Sequence, residues 1–409
     1  MEQKMKEYAA LLVRVGLNIQ PGQTLIISSP TDCASFARLC ATAAYDAGCR
    51  EVVMSWHDDV LDRERYLRAD DAVFDEVPEW RRHFYNDYAA SGAAYLAIAA
   101  DDPDSMRGVD ATRINRSRLA RDKYLDTFNR AQMNNVMPWC VASVPVKAWA
   151  EKVFPGEDTD TAMGKLWDAI LETVRVDGSG NAVEAWQKHL AMLAERKDKL
   201  NALRLRSLHY TNSLGTDLTI ELPEGHLWAA GSATTPGGQT FVANLPTEEI
   251  FTAPKRDGVN GVVCASLPLV VHGNVVEGIR FVVKDGKIVE ATATRGEEFL
   301  RAAISVDEGA SHFGEVALVP YDSPISNQGI LYYNTLFDEN ARCHIAFGEA
   351  YPECIEGGEA LSKDELLARG LNQSAMHEDF MVGTADLRIT GTTCEGQEVP
   401  VFTDGNFAL

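Results

Sequence analysis

The first sixty residues alternate between a strand pattern and a helix pattern, and this alternation limits the fold more than any other feature. Thr24–Ile27 predicts a buried strand, residues 33–47 place apolar side chains at helical spacing, and Glu51–Met54 predicts the next strand. A strand, a helix and a second strand at this spacing form a βαβ unit with parallel strands. We therefore expect an N-terminal α/β domain with a parallel sheet, with further strands near residues 94–99 and 138–143.

The pattern changes near residue 200. Residues 158–200 predict two amphipathic helices, whereas residues 203–330 contain short strand-forming runs. Asp285-Gly286 lies between two such runs and predicts a tight hairpin turn, because this pair suits a type I′ turn. His272-Gly273-Asn274 predicts a second hairpin turn. The second half of the chain is therefore expected to be mainly antiparallel α+β.

Chain length favours two domains. The chain has 409 residues, and single domains usually hold roughly 100–200. The charged run at residues 195–199 ends the helical region and marks the boundary. We expect an N-terminal α/β domain at residues 1–200 and a C-terminal domain at residues 201–409.

The charge balance limits the partners that the chain can bind. Lys and Arg total 38 against 60 Asp and Glu, which gives a formal net charge of -22. A surface this acidic repels nucleic acid and anionic membranes, because both are bound through basic patches. We therefore expect neither of them as a partner.

Cysteine spacing and apolar runs indicate a cytoplasmic protein. None of the eight cysteines belongs to a CxxC pair, and their dispersal is typical of reduced core residues. The charged start Met1–Glu7 leads into no apolar signal core, and the longest apolar run, Gly92–Ala100, is too short to cross a bilayer.

The motifs of the commonest hydrolases and cofactor-binding proteins are missing. The sequence has no G-x-S-x-G nucleophile elbow and no P-loop. His377-Glu378 begins like a zincin helix, but Met381 stands where the second histidine would be. These absences argue against the commonest hydrolases and cofactor-binding proteins, but they do not exclude two-metal hydrolases, whose ligands are scattered along the chain.

Two segments place carboxylates beside strand-forming residues. In residues 244–254, Glu248 and Glu249 are adjacent, so that in an extended chain only one of them faces a given site. In residues 314–320, Glu315 joins an apolar strand, where a buried carboxylate is costly unless it meets a cation. Simpler explanations remain open for both segments, namely a pair of exposed turn acids and a solvated strand end.

Two further segments contain histidines. His344 lies in an apolar setting, so it is either a metal ligand or an ordinary core histidine. Asp338, in the same segment, has the simpler explanation of a helix N-cap. His377 and Asp379 are two residues apart, so on a strand both would lie on one face, although an exposed strand without a metal would explain the pair as well. Imidazole and carboxylate donors without thiolates suit zinc, cobalt or manganese.

These segments resemble a known family. The chain is similar to the aminopeptidase T / aminopeptidase S family of thermophilic metallopeptidases in four runs, PTEEIFTAP, GEVALVP, FDENARCHIAFGEAY and HEDFMVGT, and in the N-terminal GLNIQPGQTLII. The runs occur in the family's order, and the resemblance spans most of the chain.

The resemblance implies an enzyme that uses two divalent ions, usually zinc or cobalt, to activate the water that removes the N-terminal residue from peptides. It also implies a homodimer and peptide substrates with a free N-terminus. When the family's metal ligands are carried over by motif, Glu315 becomes the bridging ligand and Glu339 a further candidate, and the other ligands are Glu249, His344, His377 and Asp379. The resemblance thus makes residues 201–409 the catalytic, metal-binding domain. Tyr351 matches a tyrosine of the family's site, and Glu248, beside a ligand, is our candidate general base.

Two other functions fit the same residues. A metal-dependent amidase or peptidase of different specificity would use the same ligands. A non-catalytic relative would bind metal and peptide without turnover, although the presence of both Glu248 and Tyr351 argues against it.

Overall fold

A computed structural model describes residues 1–271 and 273–409. Contacts within the chain divide it into two compact units. Unit 1 comprises Met1–Ala191 and Gly231–Thr247, and unit 2 comprises Met192–Ala230 and Glu248–Leu409. The boundary between two independently folding domains at residues 200 and 201 stays a prediction.

Helices and strands alternate in the first half, and strands dominate the second. The α-helices in the described residues are α1 (Glu2–Leu11), α2 (Ala34–Asp46), α3 (Asp59–Arg68), α4 (Glu79–Ala90), α5 (Ala111–Tyr124), α6 (Asp126–Met133), α7 (Lys147–Val153), α8 (Thr159–Thr173), α9 (Ala182–Leu203), α10 (Glu297–Ala303), α11 (Pro324–Asn327), α12 (Thr335–Ala341) and α13 (Lys363–Ala368). The strands are β1 (Thr24–Pro30), β2 (Glu51–His57), β3 (Ala94–Ile98), β4 (Trp139–Ala142), β5 (Leu205–Thr211), β6 (Asp217–Glu221), β7 (Ala229–Ala230), β8 (Ala233–Thr234), β9 (Thr240–Phe241), β10 (Asn244–Leu245), β11 (Ile250–Thr252), β12 (Val259–Cys264), β13 (Leu269–Val271), β14 (Asn274–Val276), β15 (Arg280–Lys284), β16 (Lys287–Thr292), β17 (Phe313–Leu318), β18 (His344–Gly348), β19 (His377–Met381), β20 (Arg388–Thr393), β21 (Glu398–Thr403) and β22 (Asn406–Phe407). None of these helices is long and apolar enough to cross a bilayer.

Unit 1 is built on a parallel sheet. Its strand order is β10-β4-β3-β1-β2, and every neighbouring pair in it is parallel. Leu25, Ile26 and Ile27 of β1 are fully buried, as expected for a parallel strand that is covered on both faces. The predicted βαβ unit and parallel sheet are confirmed.

Unit 2 contains two antiparallel sheets. The larger has eight strands in the order β16-β15-β12-β6-β5-β20-β21-β22, and the smaller has five in the order β19-β18-β17-β11-β7. The core lies between them, since Phe281 of the larger sheet contacts Phe313, Phe347 and Phe380 of the smaller at ring-centroid distances of 6.3, 6.1 and 5.1 Å. The prediction of a mainly antiparallel second half is confirmed.

The two predicted hairpin turns have different outcomes. Strands β15 and β16 pair across Asp285-Gly286, whose φ angles of 48° and 78° are those of a type I′ turn, so this prediction is confirmed. Strands β13 and β14 pair with Val271 opposite Asn274. Residue His272 of the second predicted turn lies outside the described residues.

Candidate metal centre

The centre is built on one face of the five-stranded sheet in unit 2. Glu315 of β17 pairs with Ala346 of β18, and Ala346 pairs with Asp379 of β19, so Glu315 and Asp379 point to the same side. His344 and His377 each precede one of these paired positions by two residues and therefore share that side. Three antiparallel strands thus present two carboxylates and two imidazoles together.

The opposite face of the same strands is apolar. Val316, Ile345 and Phe380 alternate with the site residues and belong to the core cluster of unit 2, each fully buried. Burying this face fixes the register of the strands, because a slip of one residue would turn the polar donors into the core. Core packing therefore holds the donors in place.

A β-bulge at Gly314 turns Glu315 toward the site. Phe313 pairs with Phe347, but Glu315 pairs with Ala346, so the register shifts between them. The extra residue reverses the alternation, which lets Phe313 face the core while Glu315 faces the donors. A Cβ at position 314 would lie 2.4 Å from the carbonyl oxygens of Gly348 and Glu349, so only glycine fits there.

Glu249 and Glu339 reach the centre from outside these three strands. Glu249 immediately precedes β11, and since Ile250 is in the core, alternation turns Glu249 to the other side. Glu339 lies on α12, which Asn334 caps by accepting a hydrogen bond from the N–H of Leu336. The alternative that Asp338 is this helix's N-cap is therefore wrong.

The donor atoms lie close together. The Nε2 atom of His344 lies 3.0 Å from Oε2 of Glu249, 3.5 Å from Oε1 of Glu315 and 3.9 Å from Oδ1 of Asp379. The Nε2 atom of His377 lies 3.5 Å from Oε2 of Glu315 and 3.7 Å from the same Asp379 oxygen. Glu315 therefore directs one oxygen to each imidazole.

These residues form three overlapping groups of possible ligands. Within each group the ligand atoms lie within 4.8 Å of one another. The groups are Glu249 with Glu315 and His344, Glu315 with His377 and Asp379, and Glu339 with His344 and Asp379. All six residues that the sequence suggested as ligands are thus brought together.

Backbone carbonyls orient both imidazoles. The Nδ1 atom of His344 donates to the carbonyl oxygens of Glu339 at 2.9 Å and Arg342 at 3.1 Å, and Nδ1 of His377 donates to that of Glu349 at 2.7 Å. A carbonyl oxygen only accepts, so these contacts assign the ring proton to Nδ1 and leave Nε2 facing the carboxylates. Histidine ligands of metals are usually held in this way.

The electrostatics of the centre fit divalent cations. Burial raises the pKa of Glu315 to about 7, and burial with nearby carboxylates raises the pKa of Glu339 well above its ordinary value. Burial alone would lower the pKa of His344, but Glu249 and Glu315 outweigh it and hold that pKa well above its ordinary value. Ionising all four carboxyls in this buried space is therefore unfavourable in the absence of a cation, and bound divalent cations would offset the negative charge.

One oxygen has no hydrogen-bond partner among the described residues. Oδ1 of Asp379 is buried and accepts no hydrogen bond there, although it faces both imidazoles. A buried carboxylate oxygen without a partner is costly. Coordination of a cation at this atom would remove that cost, so these residues suit the divalent ions that the family resemblance implies.

The two candidate catalytic residues lie beside the ligand groups. The ring of Tyr351 packs edge-on against His377 at a centroid distance of 5.0 Å, and burial and the surrounding carboxylates raise its pKa well above the ordinary value. Glu248 is 4% exposed, and its backbone N–H donates to Oδ1 of Asn340 at 2.7 Å. Among the described residues, the ligand groups contain Glu249 but not Glu248.

Sequence reasoning missed two features. Asn340 contacts the backbone of Glu248 and the side chain of Glu339. Its neighbours along the chain give no sign of the contact with Glu248, which lies 92 residues away in sequence. In unit 1, His57 at the end of β2, Asp59 just after it and Asp101 after β3 also place ligand atoms within 4.8 Å of one another. The ends of the predicted parallel strands could have suggested this second group.

Comparisons with known proteins agree with this centre. The family model described as thermophilic metalloprotease (M29) matches residues 1–407. The chain is 42% identical to Aminopeptidase AmpS of Bacillus subtilis over 407 residues, covering 100% of this chain and 99% of the relative. It is 42% identical to Aminopeptidase 2 of Geobacillus stearothermophilus over 408 residues, covering 100% and 98%.

A solved structure supports the same assignment. Wild-type AmpT from Thermus thermophilus matches with a TM-score of 0.90 at 38% identity, with 100% of each chain covered. These matches confirm the predicted resemblance, the mixed α/β and α+β fold class and the predicted kind of enzyme, a metal-dependent aminopeptidase. The chain therefore belongs to the thermophilic metalloprotease (M29) family.

Proposed function

We propose that this chain is a two-metal aminopeptidase that removes the N-terminal residue from peptides with a free α-amino group. One observation supports the pair of ions most directly. Oε1 of Glu315 faces His344 and Oε2 faces His377, each at 3.5 Å. A carboxylate whose two oxygens face two separate ligand sets is placed to bridge two ions.

The overlapping groups suggest how the ligands divide. Glu249 and His344 would hold one ion, His377 and Asp379 the other, and Glu315 both. Glu339 would be a further ligand beside His344. Nitrogen and oxygen donors favour zinc, cobalt or a similar ion, and the neighbouring Cys343 does not compete, because its thiol donates to the carbonyl of Val319 at 3.2 Å.

The chain's own residues would orient the substrate and move its protons. Bound divalent ions supply a Lewis acid and lower the pKa of water toward about 7. Glu248 would accept a proton as general base. Tyr351, whose raised pKa keeps its hydroxyl protonated at neutral pH, would donate a hydrogen bond to the oxyanion that forms from the scissile carbonyl.

The centre suits a substrate with a free amine. Bound ions would offset the charge of the four carboxylates, and a free α-amino group would bind one of these ions or an acidic side chain, whereas an acylated nitrogen would do neither. This preference separates an aminopeptidase from an amidase or peptidase of other specificity with the same ligands.

We also propose a cytoplasmic homodimer. All eight cysteines are free thiols, which fits a reducing compartment. The dimer rests on the family resemblance alone.

Activity before and after chelation tests the proposed function. The protein as purified is expected to release the chromophore from aminoacyl p-nitroanilides, to lose that activity with EDTA, and to regain it with Zn²⁺ or Co²⁺. N-acetylated versions of the same substrates are the matched control and are expected to remain intact. Equal cleavage of free and acetylated substrates would contradict an aminopeptidase, and activity that survives complete metal removal would contradict metal dependence.

A further inference from the structure

Asn340 contacts both acidic segments that reach the centre from outside its three strands. It lies on α12, next to Glu339, and is fully buried. Its Oδ1 accepts the backbone N–H of Glu248 at 2.7 Å. Its Nδ2 donates to the carbonyl oxygen of Leu336 at 2.8 Å and to Oε1 of Glu339 at 3.3 Å.

The partners of Asn340 fix the orientation of its amide. The backbone N–H of Glu248 can only donate, and the carbonyl of Leu336 can only accept. A flipped amide would therefore lose both contacts and set its oxygen against the carboxylate of Glu339. A single side chain thus joins the segment before β11 to α12, across 92 residues of sequence between Glu248 and Asn340.

The two segments held by Asn340 contribute donors to different ligand groups. Glu249 follows the anchored N–H of Glu248 directly and lies 3.0 Å from Nε2 of His344. Glu339 precedes Asn340 and belongs to the group that contains His344 and Asp379. The position of one acid relative to the other therefore depends on this amide.

We propose that Asn340 is a positioning residue, which sets the Glu248-Glu249 segment against Glu339 so that Glu249 and Glu339 reach the same centre. This proposal rests on the function proposed above for the centre, but it concerns the geometry of the ligands and not the peptide substrate. Asn340 belongs to none of the ligand groups of the described residues and would act through Glu249 and Glu339.

Asn340→Ser and Asn340→Ala separate positioning from local helix stability. A serine in a helix can donate to the carbonyl four residues earlier, here that of Leu336, but its side chain is too short to reach Glu248 as well. Asn340→Ser therefore keeps the contact within α12 and removes the link between segments. Asn340→Ala removes both.

Asn201→Ser is the matched control. Asn201 is a half-buried amide of unit 2 that also holds a distant backbone segment, accepting from the N–H of Trp228 at 2.9 Å and donating to its carbonyl at 3.1 Å. Asn201 and Trp228 belong to none of the ligand groups of the described residues. Its substitution removes the same kind of clamp elsewhere.

The first measurement is Co²⁺ binding to the metal-free protein, monitored by titration calorimetry and by the visible absorption of bound Co²⁺. The second measurement is kcat and KM. Asn340→Ser and Asn340→Ala are expected to weaken Co²⁺ binding about 10–100-fold, the usual effect of removing a residue that supports a ligand. The Co²⁺ spectrum is expected to change, and kcat is expected to fall more than KM rises. Asn201→Ser is expected to keep the wild-type affinity and spectrum.

Two outcomes would overturn the positioning role. In the first, Asn340→Ser binds Co²⁺ with wild-type affinity and spectrum. In the second, Asn340→Ser and Asn201→Ser weaken binding equally, which would point to general loss of stability. A wild-type protein that binds Co²⁺ but cleaves no aminoacyl substrate would instead refute the proposed function and leave the positioning role supported by the binding data.

Discussion

Phe313 and Glu315 are two residues apart on one strand, yet they face opposite sides of the sheet. Phe313 contacts Phe281 and Phe380 in the core, whereas Glu315 lies 3.5 Å from both His344 and His377. In a regular strand such residues would share a face. The bulge at Gly314 separates them and supplies the carboxylate that the two imidazoles share.

Gly314→Ala is expected to damage both stability and the metal centre. The new Cβ would collide with two backbone oxygens at 2.4 Å, and overpacking of this kind costs about 1–3 kcal/mol. Relief of the clash would shift β17 and draw Glu315 away from the imidazoles. Thermal unfolding and metal content measure the two effects.

Gly164→Ala is the control for that substitution. Gly164 lies within α8, and a Cβ there would meet nothing within 4 Å. Alanine is expected to keep metal content and to match or slightly raise stability, because it favours helices over glycine by about 1 kcal/mol. A Gly314→Ala protein with wild-type stability and metal content would show that the bulge tolerates a side chain.

Glu249→Gln is expected to lose bound metal, whereas Glu248→Gln is expected to lose turnover and keep the metal. Glu249 belongs to a ligand group and Glu248 does not, so Glu249→Gln is expected to reduce metal content. Glu248→Gln is expected to retain metal and to lower kcat by about 100-fold or more, the usual contribution of a general base. Metal analysis and steady-state kinetics on both proteins distinguish the roles, and Glu395→Gln, at an exposed position, is the neutral control.

Tyr351→Phe is expected to lower kcat by about 100-fold, as loss of an oxyanion donor usually does. The ring contact with His377 would remain, so metal content and KM are expected to change little. Tyr66→Phe, which keeps a ring stacked on Phe74, is the control. An unchanged kcat in Tyr351→Phe would remove the hydroxyl from the mechanism.

Stability of the metal-free protein is expected to fall as the pH rises from about 5 to 8. Burial raises the pKa of Glu315 from 4.5 to about 7, so in this range the folded protein holds a proton that the unfolded chain releases. The free energy of unfolding then decreases with pH, by about 3 kcal/mol for a shift of this size. The decrease begins above the unfolded pKa and is complete once the pH passes the folded pKa.

Glu315→Gln tests that assignment, because glutamine does not titrate. Denaturant unfolding after chelation, at several pH values, is expected to show a flatter pH dependence in the variant than in the wild type. Saturating Zn²⁺ is expected to reverse the wild-type trend, since ligands bind metal better once deprotonated. Parallel pH profiles for the two metal-free proteins would contradict the raised pKa of Glu315.

Much of the fold follows from local patterns in the sequence. The runs at residues 24–27 and 51–54 are apolar enough to indicate buried parallel strands, and Asp285-Gly286 forms the turn that its φ preferences dictate. His377 and Asp379 share a face because β19 is regular. In these places one local rule decides the structure.

The rest of the site depends on contacts between distant segments. Nothing near Gly314 in sequence reveals a bulge, because it is the carbonyls of Gly348 and Glu349 that restrict this position. Alternation showed that only one of Glu248 and Glu249 would face the centre, but the packing of Ile250 decides which one. The link from Asn340 to Glu248 likewise becomes visible only in the folded chain.

Six side chains of unit 2 are proposed to bind a pair of ions, so the stoichiometry of Co²⁺ binding to the metal-free protein tests the proposal. Calorimetry measures it while aminopeptidase activity is followed in the same titration. Two equivalents are expected to bind per chain, with full activity only after the second, and fewer than two are expected to bind to Glu315→Gln. A wild-type protein that reaches full activity with one equivalent, or a Glu315→Gln protein that binds two as tightly as the wild type, would contradict a two-metal centre.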